Sequence, residues 1–243
     1  MKKLKKYPFT LVELLAVIGI LSLLFGIFVP AFSRMMFGSK VDSSASAFRT
    51  GLEVAQSRAV ASRKYVAMIL PTNYDNITDN KLKPYCGGGY RLAFVTSENN
   101  FAGWVPGTTW MNPSDGAGLT AVQSRKDWYE TVGDSSSGWK ALPGPEDELD
   151  KACTGASVLT EIGKGDVADG DFEAIGTDSA KDNWRGIVFS PFGGVIGNTT
   201  PLLFFFTERK IDGSSYEYPN TDNFLVLKLN PLTGRVVYIA PED

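Results

Sequence analysis

The sequence predicts an α+β fold, in which one long N-terminal helix packs on an antiparallel β-sheet. The first observation is an uncharged apolar run of 19 residues at positions 14–32, long enough for about five helical turns. The second is a set of apolar residues that recurs every three or four positions from Ala45 onwards, which indicates an amphipathic helix. The third is a series of short β-branched and aromatic runs near the C-terminus. Two of these flank the turn "NPLTG" and predict a hairpin.

The apolar run is long enough to cross a membrane. As a helix it spans about 28 Å, close to the thickness of a bilayer core. Four lysines precede it, at positions 2, 3, 5 and 6, and only Arg34 follows closely, so the N-terminus is expected in the cytoplasm and the head outside. A cleaved secretory signal peptide is the alternative, but its apolar core is usually shorter and carries no acid such as Glu13.

Glu13 is the unusual residue of this segment. A carboxylate inside a membrane span is unfavourable by about 2.5–3.5 kcal/mol at mid-bilayer and usually marks a partner or a function. The nearest cation that a subunit of the same kind could offer is a free amino terminus. We therefore expect Glu13 to act in assembly.

The stretch "FTLVELLAVIGILSLL" resembles the N-terminal signal and helix of type IV pilins and of the pseudopilins of type II secretion systems. The resemblance implies cleavage between Pro8 and Phe9 by a prepilin peptidase, N-methylation of Phe9, a helix kink at Pro30, and a filament core in which Glu13 faces a neighbour's amino terminus. Pro8 stands where the family normally has glycine. Proline fixes its own φ and lacks a backbone donor, so a peptidase that requires a flexible extended strand would cleave this bond slowly or not at all. Cleavage is therefore predicted separately from family membership.

The remainder of the chain resembles the GspH/FimT group of minor pseudopilins and minor pilins, through "FRTGLEVAQSRAVASRKYVAMIL", "IVFSPFGGV" and "LNPLTGRVVYI". The predicted organisation is a basic leader peptide at 1–8, a transmembrane or filament-core helix at 9–37, and an extracytoplasmic head at 38–243. Within the head we expect an amphipathic helix at 38–64 that begins near Asp42 or Ser43, first strands at 65–95, an inserted irregular lobe at 96–182 and C-terminal strands at 183–243.

Two further features concern the chemistry of the head. Cys86 and Cys153 are enough for one disulfide in an oxidising compartment, or they remain two thiols. Asp166, Asp169 and Asp171 have the oxygen ligands that calcium prefers, but their spacing is not that of an EF-hand. A solvated acidic loop is the preferred interpretation, so neither a metal nor a cofactor is predicted.

Tryptophans are concentrated in or beside the predicted lobe. Aromatic residues of this kind suit core packing or, where half-exposed, contact with a partner protein or a sugar. Core filling is the preferred role for each one taken singly. The residues are Trp104, Trp110, Trp128, Trp139 and Trp184.

Composition excludes several functions. The chain has no histidine, which excludes Ser-His-Asp, Cys-His and His-ligated zinc chemistry within it. Without the four leader lysines, 20 bases stand against 27 acids, a net charge of about −7 that argues against nucleic acid as a partner. We predict no enzyme, and instead an assembly subunit that is most consistent with a minor pseudopilin of type II secretion.

The expected partners are other pilin or pseudopilin subunits, a prepilin peptidase and an inner-membrane assembly platform. The expected location is the inner membrane, with a single pass and a periplasmic head, and a filament after assembly. A minor type IV pilin for adhesion or DNA uptake, with a ligand-binding inserted lobe, is the alternative. A membrane-anchored periplasmic enzyme is a third hypothesis, although no two carboxylates are singled out by their spacing.

Overall fold

The computed structural model describes residues 11–71, 85, 87–112, 116–124, 159–163, 184–212, 215–217 and 224–239. Contacts divide the chain into two compact units, residues 1–39 and residues 40–243. The division lies close to the boundary between 37 and 38 that the sequence predicts. The second unit is the head.

A single helix, α1, runs from Leu11 to Ser62. A long N-terminal helix was predicted, but the expectation that its second half begins at a new cap near Asp42 or Ser43 is wrong. The helical turn around Asp42 and Ser43 packs into the head, where Val41 and Ala45 are buried. Because packing of an apolar face stabilises a helix, α1 continues through the Gly-Ser stretch at which the sequence indicates a break.

The C-terminus of α1 is closed by two backbone hydrogen bonds. Arg63, at φ 55°, donates from its N–H to the Val60 carbonyl, and the Lys64 N–H reaches back to Ala59. This is the Schellman arrangement, with an arginine in the left-handed position that glycine usually takes. The chain therefore turns sharply and enters its first strand at Tyr65.

The strands form two main sheets and one short hairpin. In the five-stranded sheet the order is β3-β2-β1-β6-β5, in the four-stranded sheet it is β11-β10-β7-β4, and β8 pairs with β9. Neighbouring strands are antiparallel throughout the described sheets, which confirms the predicted α+β class, although the division into two sheets was not predicted. The strands are β1 Tyr65–Pro71, β2 Arg91–Val95, β3 Phe101–Trp104, β4 Ala117–Ser124, β5 Thr160–Glu161, β6 Trp184–Phe189, β7 Leu202–Glu208, β8 Lys210–Asp212, β9 Ser215–Glu217, β10 Phe224–Leu229 and β11 Val236–Ile239.

The range predicted as an inserted lobe, 96–182, contributes strands to both sheets where it is described. β3 and β5 lie at the two edges of the five-stranded sheet, and β4 is an edge of the four-stranded sheet. This corrects the expectation that the range as a whole is irregular. The sequence signal was missed because β3 ("FAGW") and β4 ("AGLTAVQS") are rich in alanine and glycine, which are depleted in strands.

The core of the head lies between α1 and the two sheets. The predicted inward face of the helix is confirmed from Ala45 to Ala59, but its expected continuation to Ser62 or Arg63 is wrong, since both are exposed. The buried residues of this face are Ala45, Phe48, Leu52, Ala55 and Ala59. A second cluster lies on the other face of the five-stranded sheet and includes Ala67, Ile69 and Val188. Strand β1 is thus buried on both faces.

Candidate assembly surfaces

The first unit exposes an apolar helix. Between Leu11 and Phe28, twelve large apolar side chains are exposed by 42–77%. They include neighbouring pairs such as Leu14 and Leu15, and because successive residues of a helix are about 100° apart, they cover every side of it. A helix that is apolar all round belongs in lipid or inside a larger protein assembly.

Glu13 lies in the first turn of α1 and is exposed. A carboxylate is favoured there because the N-terminal end of a helix carries a partial positive charge. Further along, the Ser22 hydroxyl donates to the Ile18 carbonyl at 2.8 Å, so that this polar group is satisfied inside the helix. The predicted contact between Glu13 and a neighbour's amino terminus stays a prediction.

Within the part of the chain that the structure describes, no helix is both long and apolar enough to span a bilayer.

Several predicted site residues lie outside the described residues. These are Pro8 and Phe9 of the processing site, Cys86 and Cys153 of the possible disulfide, and Asp166, Asp169 and Asp171 of the calcium candidate. Pro30 lies within the helical range of α1, and its kink stays a prediction. Among the described residues there is no group of three or more side chains that could hold a metal.

Two of the predicted tryptophans meet on the face of the five-stranded sheet opposite α1. The rings of Trp104 and Trp110 are 5.8 Å apart, and Tyr85 and Phe101 extend the cluster at 5.5 Å and 5.0 Å. The Arg91 guanidinium lies 4.1 Å from the centre of the Trp104 ring, a cation–π contact. Both tryptophans pack against this cluster and are half-buried, so they combine the packing role with the half-exposed state that suits contact with a partner. Trp184 begins β6, and Trp128 and Trp139 lie outside the described residues.

The sequence did not predict a second exposed apolar surface, which belongs to the head. Phe192 is 95% exposed and Leu232 is 79% exposed. Each lies in a glycine-containing turn, "SPFGG" and "NPLTG", and Val60 of α1 is 49% exposed nearby. The available signal was a large apolar residue inside a turn motif, where its neighbours cannot cover it.

Comparison with known proteins gives few matches. No family model matches the chain, and no curated protein matches it. Among solved structures, the chain is similar to the crystal structure of the type IV minor pilin FimU from Pseudomonas aeruginosa PAO1. The TM-score is 0.40 at 12% identity, and the alignment covers 83% of this chain and 90% of the FimU chain.

Proposed function

We propose that this chain is a subunit of a type IV pilus-like filament and that its N-terminal helix is the assembly element. The observation that carries the proposal is the helix between Leu11 and Phe28, whose large apolar side chains are exposed on every side. Burying one such side chain is worth about 1.5–3 kcal/mol. A helix of this kind therefore requires an apolar environment supplied from outside the chain.

Before assembly that environment is the inner membrane. The support comes from the sequence: the uncharged run 14–32 has the length of a bilayer core, and the basic residues lie mostly before it. The head is then periplasmic. In the assembled filament, the helices of neighbouring subunits replace the lipid, and close packing rather than removal from water drives the exchange.

Glu13 gives this exchange its register. It lies one turn into the helix, close to the membrane edge, where an acid is less unfavourable than at the centre. In a filament it pairs with the amino terminus of a neighbouring subunit, which is the N-methylated Phe9 if a prepilin peptidase cleaves after Pro8. Removing one partner of an ion pair in an apolar environment is strongly destabilising, because the other charge is then left without compensation.

The more specific role that we propose is that of a minor pseudopilin of type II secretion. The head segments that resemble the GspH/FimT group support it, and the same resemblance supports a minor type IV pilin as the second candidate. Deletion of the gene separates the two, because a pseudopilin is needed for enzyme secretion and a pilin for surface pili. An assembly role without turnover also agrees with the absence of histidine from the sequence.

The decisive experiment measures processing and assembly of the full chain. The chain is produced with a prepilin peptidase and its assembly system, and the mature protein is analysed by intact mass and N-terminal sequencing. We expect methylated Phe9 as the first residue. A mature protein that keeps residues 2–8 would overturn the proposed pairing.

The second arm compares Glu13→Leu with Glu53→Gln, an exposed substitution on the same helix within the head. Both variants should insert into membranes, but Glu13→Leu should enter filaments at least about tenfold less well, as expected for a loss of 1.4 kcal/mol or more. Glu53→Gln should assemble as the natural protein does. Equal filament incorporation by all three proteins would refute the role of Glu13.

A further inference from the structure

Two exposed turns of the head and one residue of α1 form a surface, here called the two-turn surface. One turn, 190–194, follows β6, and the other, 230–234, joins β10 to β11. An alanine-sized side chain at Gly193 would approach the Val60 side chain to 3.5 Å, so the first turn lies directly beside the helix. The apolar residues of the surface are Phe192, Leu232 and Val60.

The two turns are joined to each other and to the helix. The Val195 N–H donates to the Pro231 carbonyl at 2.7 Å. Gln56 Nε2 donates to the carbonyls of Gly193 and Thr233, at 2.9 and 2.7 Å. The apolar side chains at the tips of the turns are therefore held in place before any partner binds, and little conformational freedom is lost when one does.

The second turn uses its own backbone N–H groups. The Asn230 side-chain oxygen accepts from the N–H groups of Leu232 and Thr233, at 3.0 and 3.3 Å. The Gly234 N–H donates to the Asn230 carbonyl at 2.8 Å, and Pro231 has no N–H. No N–H group between 231 and 234 therefore depends on water. This matters for contact with lipid, where a backbone group without a hydrogen-bond partner is strongly unfavourable.

The first turn follows a similar pattern. The Ser190 N–H donates to the Gly194 carbonyl at 2.7 Å, and the Gly193 N–H donates to the Ser190 carbonyl at 2.9 Å. Pro191, directly before Phe192, again has no N–H. Both turns thus present a large apolar side chain on a backbone that has few N–H groups to remove from water.

The charge beside this surface is positive and local. The other described residues carry nine bases and eight acids, so they are nearly balanced. Because charges farther away than about 8–10 Å are screened at physiological ionic strength, the local charges decide which partner is attracted. The segments 59–64, 190–200 and 230–239 contain no acidic residue and three bases, which are Arg63, Lys64 and Arg235.

Two of these bases lie at the rim of the surface. Arg63 is exposed, and its N–H donates to the Val60 carbonyl at 3.4 Å. Arg235 is also exposed and directly follows the second turn. Glu53 lies about two helical turns before Val60, but its carboxylate is paired with Arg49 Nε at 2.8 Å and adds no net charge. The surface therefore has apolar tips and a cationic rim.

We propose that the two-turn surface binds a phospholipid bilayer that carries anionic headgroups. Phe192 and Leu232 enter the boundary between headgroups and acyl chains, while Arg63 and Arg235 lie at the level of the phosphates. Binding of this kind grows with the apolar area buried and with the attraction to anionic lipid. A bilayer suits these turns because it offers apolar contact and negative charge without requiring backbone hydrogen bonds. The contact concerns the head alone and goes beyond the proposed role of the N-terminal helix.

The test offers liposomes to a chain whose N-terminal helix is already accommodated. The full chain is placed in nanodiscs of neutral phosphatidylcholine, and sucrose-loaded liposomes are added and sedimented. Because the helix is held by the nanodisc, co-sedimentation reports binding by the head. We expect liposomes with about one third phosphatidylglycerol to bind at least about tenfold more tightly than pure phosphatidylcholine, and about 1 M NaCl to remove this preference.

Matched variants test the apolar tips. Phe192→Ser and Leu232→Ser should each weaken binding to the anionic liposomes at least about tenfold, because each removes a large side chain from the apolar contact. Met111→Ser is the control, since Met111 is also exposed, by 48%, but lies outside the surface. It should change the affinity less than about twofold. Tryptophan fluorescence during denaturant unfolding checks that every variant is folded.

A second pair tests the cationic rim. Arg235→Gln should weaken binding to the anionic liposomes about fivefold and leave binding to neutral ones unchanged, as expected for one base at a charged surface, and Arg235→Lys should keep most of the affinity. Arg58→Gln is the control, because Arg58 is exposed but lies about 200° round the helix from Val60. Glu13→Leu should bind liposomes normally, so the lipid contact and the filament proposal can fail separately.

Three outcomes would overturn the inference. Equal affinity for neutral and anionic liposomes would exclude the role of the rim. Equal effects of Phe192→Ser and Met111→Ser would exclude the apolar tips. Multimers of nanodiscs that form without liposomes and are lost in Phe192→Ser would assign the surface to a second copy of this chain instead of lipid.

Discussion

Gln56 bonds both exposed turns of the head, so a pair of reverse substitutions on neighbouring turns of α1, Gln56→Glu and Glu53→Gln, should lower stability by very different amounts. In Gln56→Glu, a carboxylate of the same shape replaces the group that donates to the Gly193 and Thr233 carbonyls at 2.9 and 2.7 Å. The two hydrogen bonds contribute about 0.5–1 kcal/mol each, the lower value applying to the exposed one. Repulsion between the new charge and two carbonyl oxygens adds about as much as the weaker bond, for a total loss near 2 kcal/mol, or about 30-fold in the unfolding equilibrium constant.

Glu53→Gln is the matched control for this prediction. It makes the reverse change one turn earlier and removes an exposed ion pair between Arg49 Nε and Glu53 Oε1 at 2.8 Å. Such an exposed helix pair contributes little to stability, because water and salt screen both charges. Unfolding of the full chain by urea in micelles, followed by tryptophan fluorescence at pH 7 and pH 4, gives both values.

The pH dependence separates the two causes of the Gln56→Glu loss. At pH 4 a protonated carboxyl can donate one hydrogen bond and carries no charge, so about half of the loss measured at pH 7 should disappear. A loss at pH 7 no larger than that of Glu53→Gln would refute the bridging role of Gln56. So would a loss that is the same at both pH values.

Two further predictions concern the packing of α1 in the head. Phe48→Ala should lower the free energy of unfolding by about 3–5 kcal/mol, because the ring of this buried residue lies 5.2 and 5.3 Å from those of Phe204 and Phe206; a loss below about 2 kcal/mol in denaturant titrations would contradict this. Burial raises the pKa of Tyr90, whose hydroxyl donates to the Ala47 carbonyl at 3.2 Å. The folded protein therefore keeps a proton that the unfolded chain releases near pH 10, and the stability this residue contributes is present below that pH and falls as pH rises through the raised pKa. Urea midpoints between pH 8 and 11 should fall less steeply for Tyr90→Phe than for the natural protein, and parallel curves would show that burial of Tyr90 has no such effect.

Local patterns in the sequence were enough to predict the helix and several strands. Apolar residues spaced three or four apart lie on one face of a helix, and that face is expected to be buried. Phe48 and Leu52 lie on this face, and both are buried. The run at 65–70 predicted a strand because Val, Ile and Tyr suit a pleated surface, and β1 begins at the predicted residue. The hairpin around 230–234 was predicted from its turn residues and joins β10 to β11.

The features that the sequence did not predict depend on contacts between residues that are far apart in the chain. Strand β4 has weak strand propensity of its own, and its extended form is imposed by pairing with β7, which lies some eighty residues later. The helix continues through 42–43 because the head packs on that turn. Phe192 differs from the buried phenylalanines of β7 by its turn motif "SPFGG", but its position beside Val60 of α1 depends on the tertiary fold.

The position of β1 has a consequence for how the chain is made. β1 lies between β2 and β6, so that Val66 pairs with Phe94 on one side and with Phe189 on the other. During synthesis, the second partner emerges long after the first, and sheets closed by such distant segments form slowly. Until residues 184–189 appear, the apolar strand "YVAMIL" has one open edge, which is a site for aggregation. We expect nascent or truncated chains that end before β6 to need a chaperone, even though both edges of this strand are paired in the finished sheet.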